Sequence, residues 1–266
     1  MRLPTETEPK RGELEMALLI QYTLVYASVL LLVALGGMYS ERSGVINIGL
    51  EGIMIFGALG GAMALYNMPE TANSFVMVLV AFLASICTGV IASLLLAVAS
   101  ITFKADQTLA GTAINMLGAA AATVITKSYT LKVEGKAATK INYVFQREAL
   151  IFRIGKIEIS WFVIVTLVLF AVATVVLYRT RFGLRLRACG EHPQAAASLG
   201  VDVIKMRYAG VVISGALGAI GGLAYIVPPV QTWNFEVGVA GAGFLAMAVM
   251  IFGQWKPFNI CGAAMF

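Results

Sequence analysis

Glu51 is the one carboxylate placed inside an apolar core stretch, in the segment Ser40-Glu41-Arg42-Ser43-Gly44-Val45-Ile46-Asn47-Ile48-Gly49-Leu50-Glu51-Gly52. A separation of four puts Asn47 and Glu51 on one helix face. An ionisable group held among lipid-compatible residues must face a cavity or a partner, which offers coupling to an ion or contact with a polar solute. The other reading is that Glu51 lies near the interface, about two turns beyond Arg42, and fixes helix packing. Further along stand Gln107, Thr108, Thr112 and Asn115, of which positions 108, 112 and 115 follow helical spacing. These side chains either line a path for a polar, uncharged solute or hydrogen-bond between helices.

A third group lies in the polar stretch at 179–207. There His192-Pro193-Gln194-Ala195-Ala196-Ala197-Ser198-Leu199-Gly200 has the signature of a miniature helix. Pro193 carries the fixed φ suited to a first helical position, the alanines favour continuation, and Gly200 supplies a left-handed stop. So short a helix needs packing against something else. Its place beneath a run of arginines suggests a protruding element that touches a cytoplasmic partner; an elbow resting on the protein's own helices is the alternative.

Other chemistries are missing their residues. The chain has no GxxxxGK[ST] phosphate loop, no HExxH and no GxSxG, and its single histidine, His192, allows neither a catalytic triad nor a zinc site. Cys87, Cys189 and Cys261 have no paired spacing, which argues against a disulfide or metal framework. An enzyme is disfavoured, leaving transport, scaffolding or a channel.

The elements that must position these residues are membrane spans. Of 266 residues, 59% are hydrophobic and only 12% charged, where a soluble domain carries about a quarter. The mean hydropathy is +0.87. The net charge of +5 does not indicate a nucleic-acid binder, because the basic residues lie in loops between apolar stretches. Charge-free windows run over 16–40, 43–69 (interrupted by Glu51), 71–103, 107–126, 159–178, 208–235, 237–255 and 257–266. A crossing needs about 20 residues. The expectation is therefore an all-α, polytopic transmembrane bundle with about eight spans, the last one truncated. The window 71–103 exceeds one perpendicular crossing, so tilt or an interfacial start near Asn73 and Ser74 is expected.

The chain reads as one transmembrane domain over 1–266, with a polar tail at 1–15 and two long loops on opposite sides, 127–158 and 179–207. Arg179, Arg181, Arg185 and Arg187 fall within nine residues, which favours the cytoplasm for 179–207. Gly57 with Gly61, and Ser214 with Gly218 and Gly222, form small-residue stripes for close helix packing. Pro228-Pro229 must end the helix that precedes it.

The segments 40–52, Ala-Asp-Gln-Thr-Leu-Ala-Gly-Thr-Ala-Ile-Asn at 105–115, and Arg187-Ala188-Cys189-Gly190-Glu191-His192-Pro193-Gln194-Ala195-Ala196 with Ile213-Ser214-Gly215-Ala216 together resemble the permease subunits of ABC importers for nucleosides and simple sugars, relatives of the branched-chain amino acid permeases. The likeness runs from about residue 20 to 260. It implies a type II importer-like permease in a bacterial or archaeal inner membrane, and a transport subunit with no cofactor of its own. ATP and Mg would sit on two cytoplasmic ATPase subunits. A second permease, an extracytoplasmic binding protein or lipoprotein, and membrane lipid are the other implied partners, with no nucleic acid. Coupling to the ATPase is implied for Arg187, Gly190, Glu191, His192, Pro193, Ala195, Ala196 and Gly200. The translocation path is expected at Asn47, Glu51, Gln107, Thr112 and Asn115. His192 and Asp106 stand where the family's pattern has Asn. A nucleoside is the first expectation for the solute, a simple sugar the second and a branched-chain amino acid the third. ATP-driven movement of 193–199 would be converted to alternating access by the spans at 159–178 and 208–235; the rival is a carrier energised by an ion gradient through Glu51.

Overall fold

The computed structural model describes residues 8–69, 72–143, 151–154, 157–230 and 232–266. Among these, ten α-helices follow in order. They are α1 (Glu8–Arg42), α2 (Leu50–Tyr66), α3 (Ser74–Ala97), α4 (Gln107–Glu134), α5 (Trp161–Arg179), α6 (Arg181–Glu191), α7 (Pro193–Ser198), α8 (Val203–Ile226), α9 (Ala242–Phe252) and α10 (Pro257–Met265). A π-helical turn, Val98–Thr102, extends α3. Helix starts are marked by short polar side chains that accept the orphan main-chain N–H groups: Asn73, Asp106, Ser160, Thr180 and Asp202 cap α3, α4, α5, α6 and α8. Asp106 thus fills the capping role that an Asn oxygen would also serve, accepting from Thr108 and Leu109. The helix before Pro228-Pro229 ends at Ile226, as the missing N–H groups require.

The structure differs from the sequence expectation in several places. The expected helical class holds, and among the described residues four short strands accompany the helices: β1 (Lys140–Asn142), β2 (Ile151–Ile154), β3 (Ile157–Ser160) and β4 (Thr232–Asn234). β1 pairs antiparallel with β4, and β2 with β3; polar connections outside the helices satisfy their backbones this way. The polar tail is partly helical, since α1 begins at Glu8, and residues 1–7 lie outside the described residues. α4 runs to Glu134, into the loop expected at 127–158, and stops at Gly135, whose φ of 69° is left-handed. Residues 144–150 and 155–156 of that loop also lie outside the described residues. The loop expected at 179–207 contains α6 and α7 and yields its last residues to α8.

Among the described residues, five helices are long and apolar enough to cross a membrane: Leu18–Arg42, Ser74–Thr102, Gln107–Glu134, Trp161–Arg179 and Val203–Ile226. α2 and α9 are shorter apolar helices of 17 and 11 residues, and α10 has nine. These helices do not confirm the expected count of about eight spans, and charge-free length does not register where the backbone leaves the helix. Residues 43–49 are uncharged yet non-helical. The window at 237–255 spends its first residues in turns, with positive φ at Gly238, Ala240 and Gly241.

α8 is the central helix. Of its most apolar window 72% is buried, against at most half for the other four long helices. The small-residue stripes account for this. Ser214, Gly218 and Gly222 face α2 and the chain leading into it: Ser214 meets Asn47, Gly218 lies beside Leu50 and Ile53, and Gly222 meets Met54. Gly57 and Gly61 answer from α2 against Ala219 and Leu223. Matching positions rise together, so α2 and α8 run parallel, while α1 and α3 run antiparallel to α8. Close backbone approach of this kind supplies much of the packing attraction where lipid removes the hydrophobic drive. A Cβ on Gly222 would lie 2.0 Å from the Met54 carbonyl oxygen, whereas one on Gly262 meets nothing. Gly222→Ala is expected to cost about 1–3 kcal/mol. Thermal unfolding in detergent should fall by several degrees for Gly222→Ala and stay unchanged for Gly262→Ala; equal midpoints would contradict the close approach.

A paired helix break and a terminal elbow

Between α1 and α2 the chain leaves helical geometry at the buried end of α1 and climbs into the bundle. Gly44, with φ of 89°, sits against Gly190 and the Cys189 carbonyl, whereas Asn47 already lies beside Ser214 in the middle of α8. Main-chain groups at such a break have no water to turn to and must find protein partners. Ser40 Oγ donates to the Val45 carbonyl at 2.7 Å. The Ile46 N–H donates to Gln107 Oε1 at 2.8 Å, Asn115 Nδ2 donates to the Ile48 carbonyl at 3.0 Å, and the Gly52 N–H donates to Asn115 Oδ1 at 2.8 Å. Two amides on α4 therefore hold the break from one side. α4 can come this close because Gly52 and Gly118 face each other, and a Cβ on Gly52 would lie 2.3 Å from the Ile114 carbonyl oxygen.

Glu51 does for α9 what α9 cannot do for itself. That helix begins at Ala242, and Gly241 at its cap position has no side chain to offer. Glu51 Oε1 accepts from the Gly241 N–H at 2.8 Å, and Oε2 accepts from the Gly243 N–H at 2.6 Å. A carboxylate at a helix N-terminus is favoured both by these bonds and by the helix dipole. α1 and α9 run parallel, with Tyr26 near Gly241, Gly37 against Met250 and Glu41 bonded to Trp255. α2 and α9 therefore start from one depth inside the bundle and leave in opposite directions.

The sequence placed Asn47 and Glu51 on one helix face, and the structure corrects this. Asn47 precedes α2 and donates to Ser214 Oγ at 2.9 Å, while Glu51 turns to α9. Among the described residues, the buried Oδ1 of Asn47 has no hydrogen-bond partner. Of the five expected path residues, Asn47, Glu51, Gln107 and Asn115 gather at the break. Thr112 does not; it lies on the exposed face of α4 and bonds back to the Thr108 and Leu109 carbonyls.

The second constellation lies at the end of the bundle where α1 stops. α6 buries Gly183, Leu186 and Cys189 and exposes Leu184 and Arg185. Burial pushes the Cys189 thiol above its ordinary range. Arg187 lays its guanidinium 4.9 Å from the centre of the Tyr178 ring. Gly190 touches α1 directly: a Cβ there would lie 2.4 Å from the Arg42 carbonyl oxygen. Arg42 pairs with Glu191 at 3.2 Å and donates to the Trp255 carbonyl at 3.3 Å, and Trp255 Nε1 donates to Glu41. His192, exposed, forms the junction to α7, Pro193 takes its first turn and Gly200 follows with φ of 79°. Asp202 then caps α8; the Lys205 main-chain N–H holds this exposed carboxyl below its usual range.

Ala195 and Ala196 do not face the same way. Ala195 is exposed, but Ala196 is 3% exposed and packs inward. Exposed apolar groups on and beside the elbow include Leu184, Leu199 and Ile204. Neither these nor the Glu41, Arg42 and Trp255 cluster was singled out from sequence. Trp255 is more than two hundred positions from its partners, and no local pattern announces such a pairing.

Half-length helices meeting inside an apolar bundle, together with a short elbow at one end, define a membrane transport protein of the permease type. Residues 19–266 match the family described as the branched-chain amino acid transport system / permease component, and the chain belongs to it. It is a permease subunit of the ABC transporter class and not an enzyme. Similar proteins include the guanosine ABC transporter permease protein NupQ of Bacillus subtilis, 40% identical over 94% of this chain and 80% of its own length. The nucleoside ABC transporter permease protein NupC of Lactococcus lactis is 34% identical over 91% of this chain and 77% of its own. A solved structure described as an inward-facing conformation of a putative metal-chelate type ABC transporter aligns over 96% of this chain and 82% of that one, with TM-score 0.45 and 15% identity.

Glu51→Ala leaves two main-chain N–H groups at the start of α9 without acceptors, at a cost of about 1–3 kcal/mol each. Lower thermal stability in detergent and faster amide exchange over 241–245 are expected, with Glu51→Gln, which keeps one acceptor, in between. Unchanged exchange in Glu51→Ala would show that α9 does not need the carboxylate.

Proposed function

We propose that this chain is the membrane half of an ATP-driven importer that admits a nucleoside, and that α6 and α7 form its cytoplasmic handle for the ATPase. The solute class is supported by the relatives named for guanosine and nucleosides; a simple sugar is the second choice. The observation that carries the coupling role is the two-sidedness of the elbow. Its inner side is pressed onto α1 through Gly190 and the Arg42 to Glu191 ion pair, while its outer side offers Ala195, Leu199 and Ile204 to a partner. Exposed apolar groups rimmed by charge are what a docking face requires.

In this reading 179–207 faces the cytoplasm, 127–158 faces outward, and all of 1–266 is one multi-pass permease domain of a bacterial or archaeal inner membrane, of the type II importer kind. ATP and Mg bind on two separate ATPase chains, a second permease completes the channel, and an extracytoplasmic binding protein delivers the solute. ATP-driven displacement of the elbow reaches α1 as well as α5 and α8, because α1 is the helix that Gly190 and Glu191 touch. A nucleotide can bias such states only through its different affinity for them. Ion coupling through Glu51 is the weaker reading, since both of its oxygens are already held by main-chain N–H groups of α9.

Ala195→Glu alters the outward side of the elbow without entering the packed side. In cells carrying the partner subunits, it should lower ATP-dependent guanosine uptake at least about tenfold and weaken co-purification of the ATPase, with the amount in the membrane unchanged. Normal uptake, or uptake that survives ATP depletion and collapses with an ionophore, would overturn the assignment.

A further inference from the structure

One group of side chains has no part in the break or the elbow. Tyr26 of α1, Tyr225 of α8 and Trp233 of β4 form a continuous series of edge-to-face rings, with centroids 5.8 Å apart for the first pair and 5.7 Å for the second. Three separate elements converge to make it, and β4 is itself anchored by pairing Trp233 opposite Ile141 of β1. Tyr26 and Tyr225 form one wall of a cavity of about 300 Å³, which Leu30, Leu245 and the backbone at Gly241 complete. That volume lies at the lower end of the range for small-molecule sites. Gly241 is the residue whose N–H is held by Glu51, so the cavity sits at the depth where α2 and α9 both begin. Discontinuous helices at such a depth are where transporters place their cargo.

The lining also indicates a kind of cargo. Apart from the two tyrosine hydroxyls its side chains are apolar, and it includes no charged residue. Among the described residues, no hydrogen bond occupies the hydroxyl of Tyr26 or Tyr225 or the indole N–H of Trp233. Rings with free polar tips and no fixed charge suit a flat, neutral, heteroaromatic solute that stacks through its faces and hydrogen-bonds through its edges. An angle of 69° between the Tyr26 and Tyr225 rings leaves a corner in which such a solute lies on one ring and meets the edge of the other.

We infer that Tyr26 and Tyr225, backed by Trp233, are a stacking site for the base of a nucleoside on its way through the permease. This rests on the nucleoside reading above. It adds a residue-level claim: these rings, more than the amides of the helix break, contact the solute and favour larger bases.

The test uses the complete transporter, with its ATPase and binding subunits, in a host that lacks nucleoside uptake. Labelled guanosine, uridine and ribose are the probes, supplied below saturation. Tyr26→Leu and Tyr225→Leu should each lower guanosine uptake about 5- to 100-fold, as loss of one base-to-ring stack would. Uridine uptake should fall less, and Tyr26→Phe should keep most of the guanosine rate. Membrane abundance and ATPase co-purification should match the parent protein. A Leu variant present in the membrane with unchanged guanosine uptake, or with equal losses for both nucleosides, overturns the stacking site and leaves the nucleoside reading standing. A parent protein that carries ribose and neither nucleoside overturns the nucleoside reading first. Photolabelling of the parent complex with 8-azidoguanosine is independent of whether any variant folds. Adducts on peptides holding Tyr26, Tyr225 or Trp233 support the site, and adducts confined to other segments overturn it.

Discussion

Within an apolar bundle every main-chain N–H and C=O must be answered by the protein, and this chain begins two helices where that demand is hardest to meet. The first break is answered by the side-chain amides of Gln107 and Asn115 on α4, and the second by the carboxylate of Glu51 on α2. The order of dependence follows from this. α4 must approach closely enough for its amides to reach, hence the facing glycines at 52 and 118. α2 must be seated on α8, hence the stripe at 214, 218 and 222. Only then does the carboxylate stand where α9 can start from it.

Much of this was legible beforehand, but in unequal measure. Features that a few adjacent residues determine came through: the proline-led turn that became α7, the stop before Pro228-Pro229, the start of α3 at Asn73 and Ser74, and the stripes on α2 and α8. Polar residues in apolar surroundings were singled out as the ones that matter, and four of those five meet at the break. Their partners were not legible. Asn47 and Glu51, four apart in sequence, answer to α8 and α9 respectively, because the chain between them is not yet a helix. Charge-free length also does not delimit the helices, since a stretch free of charge can still turn, as at Gly238 to Gly241.

The elbow gives a second lesson in how far a motif can be read. Resemblance grouped Ala195 with Ala196, yet adjacent residues on a helix point about 100° apart, and one of the two is committed to internal packing. The ion pair between Arg42 and Glu191 is partly exposed and contributes little stability by itself. Its value lies in direction, since Arg42 also holds the Trp255 carbonyl and so ties three parts of the chain to one guanidinium.

At Gly190 the elbow and α1 meet main chain to main chain, with no side chain between them. A side chain can absorb a push by changing rotamer, and a backbone pressed on a carbonyl has no such slack. This joint is therefore stiff, and compliance must reside elsewhere. The uncoiled stretch at 43–49 is the nearest place that can flex, since its shape is set by individual hydrogen bonds in place of a continuous helical ladder. A load applied at the elbow would pass undamped into the end of α1 and be spent bending the strap that holds α2.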